Sequence, residues 1–267
     1  MGAASPGAGR RGSCGRVNDD LLGVARAAAA AAAAVLVAHA RGAAADIQTK
    51  STPTDLVSAA DLAAEAAIRD VLRRERPDDA IMGEEGDDDP GTSGLRWIVD
   101  PLDGTVNYLF GIEHWCVSVA CEGRAGVVLD PVREECFAVR VGEPATLNGV
   151  VLSGSARADL GTSLVATGFG YDAQIRRGQA AQVAALLPRV RDIRRMGSAA
   201  LDLAWTAAGR YDAYYERGVQ PWDIAAGLLL CDAAGVETRT LPARDGMPAG
   251  VLVAAPAIVE ELAKQLV

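Results

Sequence analysis

Apolar and polar positions along this chain fall into three patterns, and each predicts a different element. From Leu21 to His39 the chain is apolar almost throughout and rich in alanine, with Asp19 and Asp20 before it and Arg26 within it. Alanine is the best helix former and aspartates ahead of an apolar run can cap it, so this predicts a packed first helix. Arg10 and Arg11 upstream raise a signal peptide as the other reading, against which the aspartates and Arg26 count. No stretch reads as both long and apolar enough to span a bilayer. After Ser58-Ala59-Ala60-Asp61, the residues Leu62, Ala66, Ile68 and Leu72 predict a second helix with those four on its buried stripe.

Shorter runs predict strands. Ala80–Met82, Trp97–Val99, Cys116–Ala120, Ala125–Asp130, Glu135–Val141, Thr162–Ala166 and Asp212–Glu216 are apolar or alternating, bounded by Gly, Pro or charge. Asn148-Gly149 is a hairpin signal. Gln174–Leu187, Arg194–Ala208 and Pro221–Leu230 read as helices, and residues 251–267 as a strand and a short amphipathic helix. Gln48–Ser58 is polar and broken by Pro53, a loop or irregular strand. Met1–Val17 has no periodicity, so residues 1–18 read as a disordered tail. Residues 19–267 then form one domain, with lobes at about 19–145 and 146–267.

The chemistry concentrates in Trp97-Ile98-Val99-Asp100-Pro101-Leu102-Asp103-Gly104-Thr105-Val106-Asn107. Asp100 stands at the carboxyl end of a predicted strand, where open α/β sheets place ligands, and Pro101 stiffens the turn. Asp103 occupies a helix N-cap position, leaving the Gly104 and Thr105 amides free to face an anion. Two carboxylates this close repel unless protons or a cation compensate them. Hard oxygen ligands suit Mg²⁺, and a metal pair can clamp both oxygens of a phosphoryl displacement. The plainer reading of Asp-Pro-x-Asp-Gly alone is an ordinary cap and a turn, which carries the smaller weight. Gly83-Glu84-Glu85 is weak by itself, yet it precedes the aspartates by sixteen residues, and adjacent parallel strands would join the two acidic ends. Asp223, in the first turn of the helix at Pro221-Trp222-Asp223, is explained equally by the helix dipole.

Composition narrows the choices. Half of the 267 residues are hydrophobic, and the net charge of -9 argues against a nucleic-acid binder. It also opposes phosphate chemistry unless bound cations reverse the local field. Five cysteines without C-x-x-C spacing fit reduced thiols in a cytoplasmic protein. Only His39 and His114 are available, and no Gly-x-Ser-x-Gly accompanies them, so His114 reads as structural or surface.

Taken together, Gly83-Glu84-Glu85, the Trp97–Asn107 stretch and Trp222-Asp223-Ile224-Ala225-Ala226-Gly227 resemble the inositol monophosphatase family of lithium-sensitive, metal-dependent sugar phosphatases. Lys50-Ser51-Thr52-Pro53-Thr54-Asp55-Leu56-Val57 and Asp212-Ala213-Tyr214-Tyr215-Glu216 match as well, and the resemblance covers about residues 19–267. It implies a mixed α/β fold, a layered αβαβα sandwich, usually as a homodimer; the thiols, the charge and the lack of a spanning stretch add the expectation of a cytoplasmic protein that binds neither membrane nor nucleic acid directly. The implied activity is hydrolysis of a phosphate monoester of a small polyol, by in-line attack of metal-activated water, with two or three Mg²⁺ per site.

By the same resemblance, Glu84, Asp100, Asp103, Asp223 and the Leu102 carbonyl would be metal ligands. Glu84, Thr105 and Asp103 would be catalytic, Thr105 and Glu84 positioning and helping to deprotonate the water. The Gly104 and Thr105 amides would hold the phosphate, while Gly197, Ser198, Ala199 and Glu216, with Asp103 and Asp223, would meet the substrate. Glu85, Lys50 and Asp61 would stand behind these or at a weaker metal position. The Gly142-Glu143-Pro144-Ala145 turn, the alanine-rich first helix and the tail depart from the family pattern.

Inositol 1-phosphate is the leading substrate, because the Glu216 carboxylate can accept hydrogen bonds from vicinal hydroxyls. Histidinol phosphate, fructose 1,6-bisphosphate and 3′-phosphoadenosine 5′-phosphate are the alternatives, the last without an obvious aromatic or basic platform. A regulatory binding partner of the transcription machinery, as some bacterial relatives are, is the reading from another class.

Overall fold

The computed structural model of the chain describes residues 20–40, 47–49 and 56–266. The expected tail at 1–18 and Lys50 lie outside the described residues. Helix α1 (Leu21–Ala40) is capped as its sequence predicts: the Asp20 carboxylate accepts from the Gly23 amide at 3.1 Å. Val24, Ala25, Ala28, Ala29, Ala32, Ala33 and Leu36 are buried, and their small side chains let α1 lie closely on α2 (Ala59–Glu75). By length and composition α1 is apolar enough to cross a membrane, which corrects the reading that no stretch is. Twenty alanine-rich residues meet that test although one face of the helix belongs to the protein core.

The buried stripe of α2 is also a correction. Leu62 and Ala66 are exposed, and the buried face holds Ala60, Ala64, Ile68 and Leu72 together with Asp61, Glu65 and Arg69. The helix is rotated because three charged side chains have partners inside.

Strands β1 (Ile47–Thr49) and β2 (Leu56–Ser58) pair antiparallel. The large sheet then runs in chain order: β3 (Ala80–Gly83), β4 (Arg96–Asp103), β5 (Cys116–Cys121), β6 (Ala125–Asp130), β7 (Glu135–Arg140), β8 (Thr146–Leu147) and β9 (Val150–Val151). Only the β3–β4 pair is parallel. Asn148 and Gly149 take φ of 50° and 83°, the consecutive left-handed residues that a tight hairpin requires. This hairpin completes the first sheet, so the sheet runs past the expected lobe boundary at 145/146.

A short helix, α3 (Thr105–Leu109), follows β4. The second sheet has the order β11-β10-β12-β14-β13, built from β10 (Leu164–Thr167), β11 (Asp192–Arg194), β12 (Ala213–Arg217), β13 (Glu237–Leu241) and β14 (Gly250–Ala254). The remaining helices are α4 (Ala173–Leu186), α5 (Ala199–Ala207), α6 (Pro221–Ala233) and α7 (Val259–Leu266). The helix expected from Arg194 starts five residues later, because Arg194 ends β11, Gly197 turns the chain at φ 93° and Ser198 caps α5.

Five layers result. α1 and α2 cover the large sheet, α5 and α6 lie between the sheets, and α4 and α7 back the second one. This is the αβαβα sandwich. The middle helix layer approaches closely, since a Cβ at Gly227 would stand 2.5 Å from Leu203.

Candidate active site

Parallel pairing of β3 and β4 sets Gly83 opposite Val99, so Glu84 emerges at the level of Asp100. The β4–β5 register then slips between Asp100 and Asp103, which turns the strand end out of the ladder. Asp100 Oδ1 accepts from the Leu102 amide at 2.9 Å, an Asx turn across Pro101.

Asp103 does not cap α3. Gly104, at φ 103°, takes that position, and no side chain caps the helix. The Asp103 carboxylate instead accepts from Ser198 Oγ at 2.7 Å and the Ala200 amide at 2.6 Å, at the start of α5. Helix N-termini favour negative charge, which accounts for the direction it takes. The Thr105 hydroxyl lies 3.1 Å from the Leu102 carbonyl and 3.3 Å from Asp61 Oδ1, two acceptors competing for one proton. In the first turn of α6, Asp223 accepts from the Gln220 amide at 2.6 Å. Glu216, near the end of β12, accepts from Tyr214 Oη at 2.9 Å.

These elements enclose a cavity of about 390 Å³ lined by Glu84, Asp100, Leu102, Asp103, Gly104, Thr105, Gly197, Ala199, Glu216 and Asp223. Phe169, Tyr171, Arg195 and Trp222 also line it. Sequence reasoning named none of these four as site residues; Phe169 and Tyr171 sit in a Gly-rich turn that signals only a bend. Ser198 is buried behind the wall with its hydroxyl held by Asp103, so it does not face the cavity. Asp61 is buried and lies within hydrogen-bonding distance of Thr105, which lines the cavity, and Glu85 is tied by its amide to Glu65 at 2.7 Å. His114 is structural: buried, edge-on to Trp205, with burial lowering its pKa to about 4.

The acids strain against one another. Burial, and then Glu84, Asp103 and Asp223, push Asp100 well above the usual carboxylate range. Burial raises Asp103 to about 6 against the hydrogen bonds from α5. Burial, followed by Asp103, raises Asp223, and burial raises Glu216 to about 7. Glu84, Asp100, Asp103 and Asp223 line one cavity and act on one another's charge, while among the described residues no three acidic, histidine or cysteine side chains already form a ligand cage. Such a set of hard oxygens meets the demands of a divalent cation that keeps several waters of its own.

A wall of the cavity depends on an absent side chain. A Cβ at Gly168 would overlap the Glu216 carboxylate. Gly168→Ala is therefore expected to displace Glu216 and raise KM for a polyol phosphate about tenfold, with a smaller effect on a simple aryl phosphate. Steady-state kinetics on both esters checks this; equal effects on the two would remove Glu216 from substrate selection.

The model of the inositol monophosphatase family matches residues 17–267. The chain belongs to the inositol monophosphatase family. Its relatives include an inositol-1-monophosphatase of Mycobacterium leprae, 44% identical over 81% of this chain and 79% of that protein. A Nus factor SuhB of Pasteurella multocida is 42% identical over 83% and 86%. Among solved structures, the extragenic suppressor protein SuhB of Bartonella henselae superposes with a TM-score of 0.84 at 33% identity, covering 92% of this chain and 98% of that one. Mycobacterium tuberculosis SuhB gives 0.78 at 38% identity, over 92% and 95%. Metal dependence is general in this family of phosphoric monoester hydrolases.

Proposed function

We propose that this inositol monophosphatase family member hydrolyses inositol 1-phosphate or a closely similar polyol phosphate with Mg²⁺. The observation that carries the proposal is the convergence of Glu84, Asp100, Asp103 and Asp223, three of them with raised pKa, on the cavity beside Gly104 and Thr105. Those four carboxylates and the Leu102 carbonyl would hold the metal. When bound, Mg²⁺, two or three ions in our reading, would supply charge neutralisation and a water of lowered pKa.

The chain's own groups do the rest. Thr105, fixed by Asp61 or the Leu102 carbonyl, orients the attacking water, and Glu84 accepts its proton. The Gly104 and Thr105 amides receive the phosphate. The ring hydroxyls meet Glu216, Gly197 and Ala199, with Tyr214 holding the Glu216 carboxylate in place. Asp103 and Asp223, which line the same cavity, would meet the substrate as well.

Phosphate release from inositol 1-phosphate should require Mg²⁺ and be blocked by Li⁺. Activity only on histidinol phosphate or fructose 1,6-bisphosphate would keep the mechanism and change the substrate. Release from no ester would overturn the proposal.

The relatives named Nus factor SuhB favour a second reading, a regulatory partner of the transcription machinery. Retention of RNA polymerase components by a catalytically silent variant tests it; none retained would end it. We place the protein in the cytoplasm as a homodimer. Free Cys116, Cys121, Cys136 and Cys231 suit a reducing compartment, and exposed Phe110, Ile112, Val150 and Val151 offer apolar surface for a second copy. A monomer on sedimentation would refute the dimer.

A further inference from the structure

We propose that Glu65 and Arg69 of α2 are positioning residues that clamp the end of β3 and so hold Glu84 at the cavity; this rests on the reading of Glu84 as a catalytic group. Asp61, Glu65 and Arg69 recur every four residues, on one helix face, and all three are buried, at 1%, 3% and 7% exposure. Buried charges are retained at a cost in stability unless each is well partnered, so what they hold matters.

Glu65 Oε2 accepts from the Glu85 amide at 2.7 Å, and its Oε1 accepts from Arg69 Nε at 2.8 Å. Arg69 Nη1 stands 3.3 Å from Asp89 Oδ2, on the far side of the loop after β3. The loop is closed at its base by backbone bonds between Ile81 and Asp89, at 3.0 and 2.8 Å. Residues 84–89 are thus fastened to α2 at Glu85 and at Asp89, directly after Glu84.

Two glycines let the backbone lie on the Glu65 carboxylate. A Cβ at Gly83 would stand 2.6 Å from Glu65 Oε1, and one at Gly86 would stand 2.7 Å from the same oxygen. One turn earlier on the same face, Asp61 is within hydrogen-bonding distance of Thr105. The polar face of α2 therefore fixes the β3 end and the α3 start relative to each other, which sets the spacing of Glu84 and Thr105. Groups that orient a metal ligand in this way typically affect metal affinity or activity by about 10- to 100-fold.

Glu65→Asp keeps the charge but falls one methylene short of the Glu85 amide. It is expected to lower kcat about tenfold or more and to raise the Mg²⁺ concentration for half-activation similarly, with substrate KM changed less than about twofold. Glu65→Gln keeps one acceptor for that amide but loses the Arg69 ion pair, so it should recover part of the loss and not all of it. Hydrogen exchange of the Glu85 amide in the metal-free protein should accelerate in Glu65→Asp and not in Glu65→Gln. Gly86→Ala crowds Glu65 Oε1 and Arg69 Nη2 and so pushes the same carboxylate from the other side, should reproduce the Asp signature, and decides the matter if Glu65→Asp does not fold. Wild-type turnover and Mg²⁺ midpoint in folded Glu65→Asp, or lost turnover with unchanged Glu85 exchange, would overturn the clamp. If the wild-type protein hydrolyses no ester, the phosphatase reading fails, while the exchange measurement still tests the clamp.

Discussion

Asp100→Asn is expected to lower kcat/KM by about two or more orders of magnitude while leaving the fold intact. Asparagine has the same shape and keeps the Oδ1 acceptor for the Leu102 amide, so the turn at Pro101 persists. What disappears is one negative charge at the centre of the acidic group, where Glu84, Asp103 and Asp223 all act on it. In the metal-free protein that loss is a relief, and the variant should melt above the wild type at neutral pH. In the Mg²⁺-loaded protein it weakens cation binding, so activity should recover in part at high Mg²⁺. A Mg²⁺ titration of turnover, paired with melting in EDTA, reads both effects. Undiminished turnover would remove Asp100 from the metal site.

The sequence disclosed the elements that carry chemistry better than it disclosed their surroundings. Runs such as Trp97–Val99 and Cys116–Ala120 are short, buried and unambiguous, so the sheet around Asp100 could be read from local pattern. Parallel pairing of β3 with β4 followed from two apolar runs that each end in acids. The direction of the Asp103 carboxylate could not be read, because its partners Ser198 and Ala200 lie 95 and 97 residues away and only the tertiary fold joins them. Nor could the face of α2. Hydrophobic periodicity counts Glu65 and Arg69 as solvent-facing, whereas their mutual ion pair and the Glu85 amide draw them inside and turn Leu62 out. In α1 the same method fails for the opposite reason: alanine on every side leaves no contrast between faces. Arg195 and Phe169 reach the cavity from separate loops, after β11 and β10, and neither has a local signature.

The metal-free protein is expected to lose stability as pH rises from about 5 to 8, and Mg²⁺ to return much of it. Unfolded carboxylates ionise near 4. Folding raises Asp103 to about 6 and Glu216 to about 7, and raises Asp100 and Asp223 as well. A raised folded pKa means that the native state binds the proton more tightly. Its stabilising contribution is therefore complete below the unfolded value and is lost as pH climbs through the folded one. For Glu216 alone the shift from 4.5 to about 7 corresponds to about 3 kcal/mol. Asp79 titrates in the opposite sense: hydrogen bonds from Arg76, Ser93 and Trp97 outweigh its burial and hold it below the usual range. Its contribution is lost only in acid, outside this window. Melting curves in EDTA should thus fall by several degrees between pH 5 and 8, at about 2–4 °C per kcal/mol, and flatten in excess Mg²⁺. A metal-free Tm that rises over that range would show that the cavity acids are ionised and satisfied without a cation, and would take away the electrostatic argument for a metal site. A fall that Mg²⁺ reverses would mean that the acids ringing the cavity destabilise the fold until a cation compensates them, so that metal binding and folding draw on the same charges.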